Sequence, residues 1–249
     1  MQGFDAVEGA HRFHALLEFD VTELKAWLRA SRRAAGGGSF YAYFLKAVAL
    51  TIRSHPDLGA MVDYSKTTWF GAVDLNIPVE VSDTNGRAPR NIVLRDVANR
   101  SVADIAAQIA LAKTRVAPAG FVESPLVRRL MSALPRPVAR FLFRRILSRH
   151  GWVRELAGTH FVTSVVGIAN GPGFFLPYAG GPNAVSFVLG GTCRKPWVVG
   201  DRIEIREIAS VTASFNHDLI DGAPAARCGT TLRRLLEDPR SFATVFQAP

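Results

Sequence analysis

The stretch from residue 197 to 236 constrains the fold most. Residues 197–215 are rich in β-branched and apolar side chains and are interrupted by a tight Gly200-Asp201 turn, which predicts strands. His217 stands at the end of the last strand, with Asp221-Gly222 after it, and residues 223–236 open as a helix. A histidine at a strand-to-helix junction is held by its own backbone. With a carboxylate four residues on, it suits a general base, because imidazole exchanges its proton near neutral pH. The same residues also read as a histidine merely satisfied at a strand end, and H-x-x-x-D-G is short enough to arise by chance.

The rest of the chain alternates between the two periodicities. Residues 13–19 read as a strand, and Asp20-Val21-Thr22-Glu23 has capping-box spacing before a helix to about Arg33. Gly36-Gly37-Gly38 reads as a connector, and 41–54 as a helix stopped by Pro56. Residues 69–81 alternate toward strand, Asp83-Thr84-Asn85-Gly86 is a hairpin tip, and 91–94 continues as a short strand. Ser101-Val102-Ala103-Asp104 caps a helix to about Thr114. Residues 160–168 and 184–189 are further strands, separated by a Gly/Pro/Asn loop over 169–182, and two helices close the chain. This mixture predicts one α/β domain over 1–249 without an internal linker.

The length of 249 residues and a hydrophobic fraction of 48% suffice for one substantial core. No run of eighteen apolar residues predicts a spanning helix, and MQGFDAVEGA lacks the pattern of a secretory signal. Cys193 and Cys228 have no metal-ligand spacing and read as reduced thiols of a cytoplasmic protein. His11 and His14 lie three apart without a third ligand nearby, so no metal site is expected. The net charge of +9 is local: seven arginines and no acids lie between Pro125 and His150. A general nucleic-acid-binding role is therefore not expected.

The segment SFNHDLIDGAPAARCGTTLRRLLEDP resembles the signature of the 2-oxo-acid dehydrogenase acyltransferases, whose catalytic domain shares a fold with chloramphenicol acetyltransferase. GPNAVSFVLGG, FHALLEFDVTELKAWL and FYAYFLKAVALTIRSHPDLGA resemble other parts of that domain. The resemblance implies a chloramphenicol-acetyltransferase-like two-layer α/β sandwich, with a mixed sheet and helices on one side. It implies that His217 takes the proton of an acceptor. It also implies that Ser164, in HFVTSVVG, donates to the oxyanion of the tetrahedral intermediate, with Thr163 a rival one register away. Asp221 has two readings: a triad-like partner of His217, or, as the resemblance favours, a loop organiser paired with an arginine. No cofactor is expected to be covalently bound. The implied substrates are CoA or a lipoyl (dihydrolipoamide) carrier in acylated form, and the implied assembly is a homotrimer.

The sequence departs from the family in four places. Asp218 stands where the family has arginine; an acid there tends to hold the imidazole proton more tightly if the two are close. Pro89-Arg90-Asn91-Ile92-Val93-Leu94 replaces a segment that lines the family's substrate channel. No lipoyl domain is expected over these residues, so a carrier is expected on another protein or not to be used at all. An insertion at about 124–155 carries the arginines as two short amphipathic helices, 126–134 and 138–148. Its basic face suits an anionic membrane surface or an acidic partner, giving a cytoplasmic and membrane-peripheral expectation; the alternative is a solvated face over an ordinary core contact. The competing reading of the whole chain is a catalytically inactive trimeric scaffold or membrane-peripheral interaction protein of the same fold.

Overall fold

The computed structural model describes residues 11–35, 39–63, 66–83, 86–114, 133–135, 148–166, 171–177 and 182–238, with single positions between 137 and 145 and at 240. In chain order the elements are β1 Arg12–Asp20, α1 Thr22–Ala35, α2 Phe40–Ser54, a 3-10 turn Pro56–Gly59, β2 Ala60–Asp63, β3 Lys66–Trp69, β4 Leu75–Asp83, β5 Gly86–Leu94, a second 3-10 turn Val97–Asn99, α3 Val102–Thr114, α4 His150–Ala157, β6 His160–Ser164, β7 Val185–Val199, β8 Arg202–Asn216 and α5 Gly222–Glu237. Six strands form one mixed sheet in the order β1-β8-β7-β6-β4-β5, and β2 with β3 forms a separate ribbon. The pairs β4/β6 and β6/β7 are parallel and the rest are antiparallel. The expected mixed sheet with helices is what the chain forms.

The alternation of β8 sorts the sheet's two faces. Ala209, Val211, Ala213 and Phe215 point into the helix-covered core, while Ser210, Thr212, Ser214 and Asn216 lie buried on the other face. Helix α2 fills the centre. Every residue from Ala42 to Ile52 is buried, the mark of a helix apolar all round. Its one buried cation, Lys46, donates to the carbonyls of Ala98 and Arg100 and closes the second 3-10 turn. Burial pushes that ammonium down to about 8.

Several expected boundaries moved, for identifiable reasons. The run at 69–81 divides into β3, in the small ribbon, and β4, in the main sheet. Between them Asp74 turns inward to an ion-pair cluster described below. The strand expected over 160–168 ends at Ser164. Strand β7 continues past Gly190-Gly191 and Pro196, residues that read as strand breakers, with a bulge against β8 at the two glycines. The glycines are needed there because the backbone of residues 171–173 lies against them: a Cβ at Gly190 would sit 2.2 Å from the Gly173 carbonyl oxygen, and one at Gly191 would sit 1.7 Å from that of Gly171. Gly191 N–H also donates to the Gly173 carbonyl at 3.2 Å.

The capping box at Asp20 is half built. Asp20 Oδ1 accepts from the backbone N–H and hydroxyl of Thr22, two residues on, and Glu237 of α5 fills the return arm by accepting from Asp20 N–H at 3.2 Å. The Ser101 cap forms as expected, with Asp104 N–H donating to Ser101 Oγ at 3.0 Å. The glycine connector 36–38 and most of the two expected insertion helices lie outside the described residues. Helix α4, at the end of that insertion, was not read as a helix of its own. None of the described helices is long and apolar enough to cross a membrane.

Candidate active site

The loop after β8 is fixed by backbone bonds at both ends. His217 N–H donates to the His11 carbonyl at 2.6 Å, extending the β1/β8 ladder one step past the Arg12–Asn216 pair. Asn216 is buried and organises the turn. Its Oδ1 accepts from Asp218 N–H at 3.0 Å, and its carbonyl accepts from Leu219 and Ile220 N–H at 3.1 and 2.9 Å. This is the local ring that an Asx side chain builds. Ile220 then anchors the loop in the core. The result presents the His217 side chain 53% exposed beside the Phe13 ring, whose centroid lies 4.9 Å away; Phe13 itself stacks on Phe215 at 5.2 Å.

Two carboxylates flank the imidazole and behave differently. Asp221 Oδ1 lies 3.7 Å from His217 Nδ1, beyond a hydrogen bond but within ionic reach. Asp221 precedes α5 without capping it through its side chain, and it has no arginine partner among the described residues. The loop-organising ion pair is thus not made among the described residues. Asp218 turns away and takes His11 Nδ1 at 2.8 Å. A Cβ at Gly222 would meet nothing within 4 Å, so no close approach requires glycine there.

Ser164 ends β6 in the row of Leu189, on the helix-covered face, and Thr163 lies in the row of Val188 on the other face. The two register rivals therefore address opposite sides of the sheet. Ser164 Oγ accepts the Val166 N–H at 3.3 Å, which leaves its hydroxyl hydrogen without an acceptor among the described residues.

His217 and Ser164 are not neighbours. Phe215 pairs with Val185 of β7, whereas Ser164 pairs with Leu189, so His217 lies just beyond the start of β7 and Ser164 stands beside its fifth residue. At about 3.3 Å per residue along the strands and about 4.8 Å between them, their separation is on the order of 20 Å. A reacting carbon must sit about 3 Å from both its nucleophile and its oxyanion donors, so one chain cannot place these two groups on one substrate.

Two further clusters position these elements. Arg12 donates to the Ser214 carbonyl at 3.2 Å and to the Asn183 carbonyl at 2.9 Å, stitching β1 to the start of β7 behind the loop; burial lowers its guanidinium to about 10. Asp74 is 1% exposed and accepts from Arg95 at 3.1 Å, Arg154 at 2.8 Å and Asp96 N–H at 2.8 Å. Burial pushes its carboxyl up, but these donors outweigh that and hold it below the usual carboxylate range. The Asp74 carbonyl also accepts from Thr159 and His160 N–H at 2.7 and 3.1 Å, so the cluster sets where β6 begins. The His160 ring is buried with Nε2 on the Leu58 carbonyl at 2.7 Å and Nδ1 on Thr159 Oγ1 at 2.9 Å, and desolvation lowers it to about 4. Most of these partners are not legible in the sequence, since apart from Thr159 with His160 the pairings join residues well separated in the chain.

With this geometry described, comparison with known proteins is informative. The sequence profile of the 2-oxoacid dehydrogenases acyltransferase (catalytic domain) family matches residues 5–119 and 142–244, leaving out a stretch that lies largely within the expected insertion. The lipoamide acyltransferase component of the branched-chain alpha-keto acid dehydrogenase complex of Pseudomonas aeruginosa is 27% identical over 97% of this chain and 49% of its own length. The dihydrolipoyllysine-residue acetyltransferase component of the pyruvate dehydrogenase complex of Mycobacterium bovis is 26% identical over 89% of this chain and 36% of its own length. The chain therefore spans about half or less of these relatives. Among solved structures, the dihydrolipoamide acetyltransferase of Azotobacter vinelandii superposes with a TM-score of 0.70 at 19% identity, covering 97% of this chain and 88% of that one. A chloramphenicol acetyltransferase superposes at 0.54 and 14% identity, covering 94% and 92%. These two likenesses speak to the fold, and the profile match speaks to descent: the chain belongs to the 2-oxoacid dehydrogenase acyltransferase catalytic-domain family.

Proposed function

We propose that the chain is an acyltransferase that moves an acyl group between the thiols of CoA and a dihydrolipoyl carrier, and that it works as a homotrimer. The observation that carries this reading is the presentation of His217: an imidazole pinned through its backbone, half exposed, with a carboxylate 3.7 Å from Nδ1, in the fold of this family. Nδ1 faces Asp221, which leaves Nε2 for the acceptor. Nε2 takes the thiol proton as sulfur attacks the thioester carbonyl. The C–S bond forms, the carbonyl oxygen becomes an oxyanion, and a hydroxyl steadies it. On collapse the old C–S bond breaks, and the imidazolium returns its proton to the leaving thiolate.

The separation of His217 and Ser164 supports an arrangement in which Ser164 of a neighbouring copy faces His217. Such a contact joins two different surfaces, and a head-to-tail contact of that kind makes a ring when the rotation between copies closes and an open filament when it does not. Three copies is the number implied by the family resemblance.

Incubation with a panel of acyl-CoAs and dihydrolipoamide tests the reading, with acyl-dihydrolipoamide detected by mass spectrometry. Product that forms with the wild type and is lost in His217→Ala is expected. A wild-type trimer that forms no product with any donor points instead to the scaffold reading.

A further inference from the structure

We propose that His11 is a positioning residue of the catalytic loop: its ring takes up the Asp218 carboxylate, which otherwise lies beside the base, while its carbonyl holds the base's own backbone. The proposal rests on the reading of His217 as the base.

Three contacts converge on the start of β1. The His11 carbonyl accepts His217 N–H at 2.6 Å, His11 Nδ1 bonds Asp218 Oδ1 at 2.8 Å, and the Phe13 ring packs against the His217 ring at a centroid distance of 4.9 Å. One short segment thus fixes where the base begins, which way its neighbour turns and what its ring rests on. Asp218 directly follows the base in the chain. An acid directly after the base would place a second carboxylate near an imidazole that already has Asp221 at 3.7 Å. A further negative charge at the ring favours its protonated form, which cannot act as a base. The bond to His11 directs the Asp218 carboxylate elsewhere. Two other titratable groups stand on this end of β1 among the described residues: Arg12, whose guanidinium is turned to the Ser214 and Asn183 carbonyls, and His14, opposite Ser214 in the ladder, whose imidazole is pushed down by burial. Phe13 carries no charge, and Asp221 is the charged group contributed from the α5 side.

The pair is exposed, and exposed pairs contribute little to stability, so its effect belongs in the titration of the base more than in melting. The test is an NMR titration of the His217 ring in full-length protein carrying labelled histidine, assigned by comparison with His217→Gln. In His11→Ala the His217 midpoint is expected to rise by about half a pH unit, as the freed Asp218 carboxylate reaches the ring. In His11→Ala/Asp218→Asn it is expected to return to the wild-type value. His11→Gln, which keeps a donor for Asp218, is expected to match the wild type and controls for damage to the strand. The acid limb of kcat/KM follows the same order, with kcat affected more than KM. An unchanged midpoint in His11→Ala overturns the proposal, as does a shift that survives in the double variant. The titration needs no turnover, so it judges His11 even if no acyl transfer is found and the reading of His217 as a base falls.

Discussion

His217 takes its place from backbone bonds and a neighbouring ring, so its imidazole is expendable for folding. His217→Ala should lose about 1,000-fold or more in turnover, as expected when a general base and its orientation are both removed, with an unchanged melting temperature. Retention of wild-type turnover removes His217 from the mechanism. Asp221 is 86% exposed and caps nothing, so Asp221→Asn should melt like the wild type. Its carboxylate stands off the ring at 3.7 Å, which predicts a loss of about tenfold in kcat, well short of the ~10⁴-fold seen when a bonded triad aspartate is changed. A large fall in melting temperature would show an organising role made elsewhere, such as across a subunit boundary. His160 predicts a pH effect on stability. Its folded-state value of about 4 lies below the ordinary 6.5, so the neutral ring's contribution is complete above about 6.5 and is lost as pH falls toward 4. The loss amounts to about 3 kcal/mol by pH 4. Urea unfolding at pH 7 and pH 4 checks this, with His160→Gln expected to show the smaller difference. Candidate residues were legible at this scale where one local segment carried them: His217 and Asp221 came from a single turn. His11 drew notice only for its spacing from His14, with no metal site expected, and its link to Asp218 was not legible because the two are 207 positions apart.

At the scale of elements, the Asp74 cluster joins β4, the segment after β5 and helix α4 ahead of the candidate serine strand. Removing one partner of a buried charge cluster costs about 3–5 kcal/mol. Arg95 and Arg154 are each more than a third exposed, so Asp74→Asn is expected to cost less, about 2–3 kcal/mol, when measured by chemical denaturation. A cost within error of zero would show that the cluster does not hold β6 in place. The elements set by local rules were readable: α2 from its period and the Pro56 stop, α3 from its serine cap, and the β4/β5 hairpin from its turn residues. Those that depend on a distant contact were not. The continuity of β7 through Gly190-Gly191 reflects a backbone packed against it, and the break after Trp69 reflects the pull of two arginines on Asp74.

At the scale of the whole molecule, the central claim is that the site exists between copies and not within one. The family and its fold were legible because the motifs recur in order along the sequence, but the distance between His217 and Ser164 required the register of three strands. Subunit complementation tests the claim directly. His217→Ala and Ser164→Ala are each prepared separately, dissociated, mixed in equal amounts and reassembled. If each site takes its histidine from one copy and its serine from the next, about a quarter of the interfaces in randomly mixed rings carry both intact groups, and about a quarter of wild-type activity should appear from two impaired parents. Mixed rings that form, as shown by mass, yet remain no more active than the average of their parents would contradict the account.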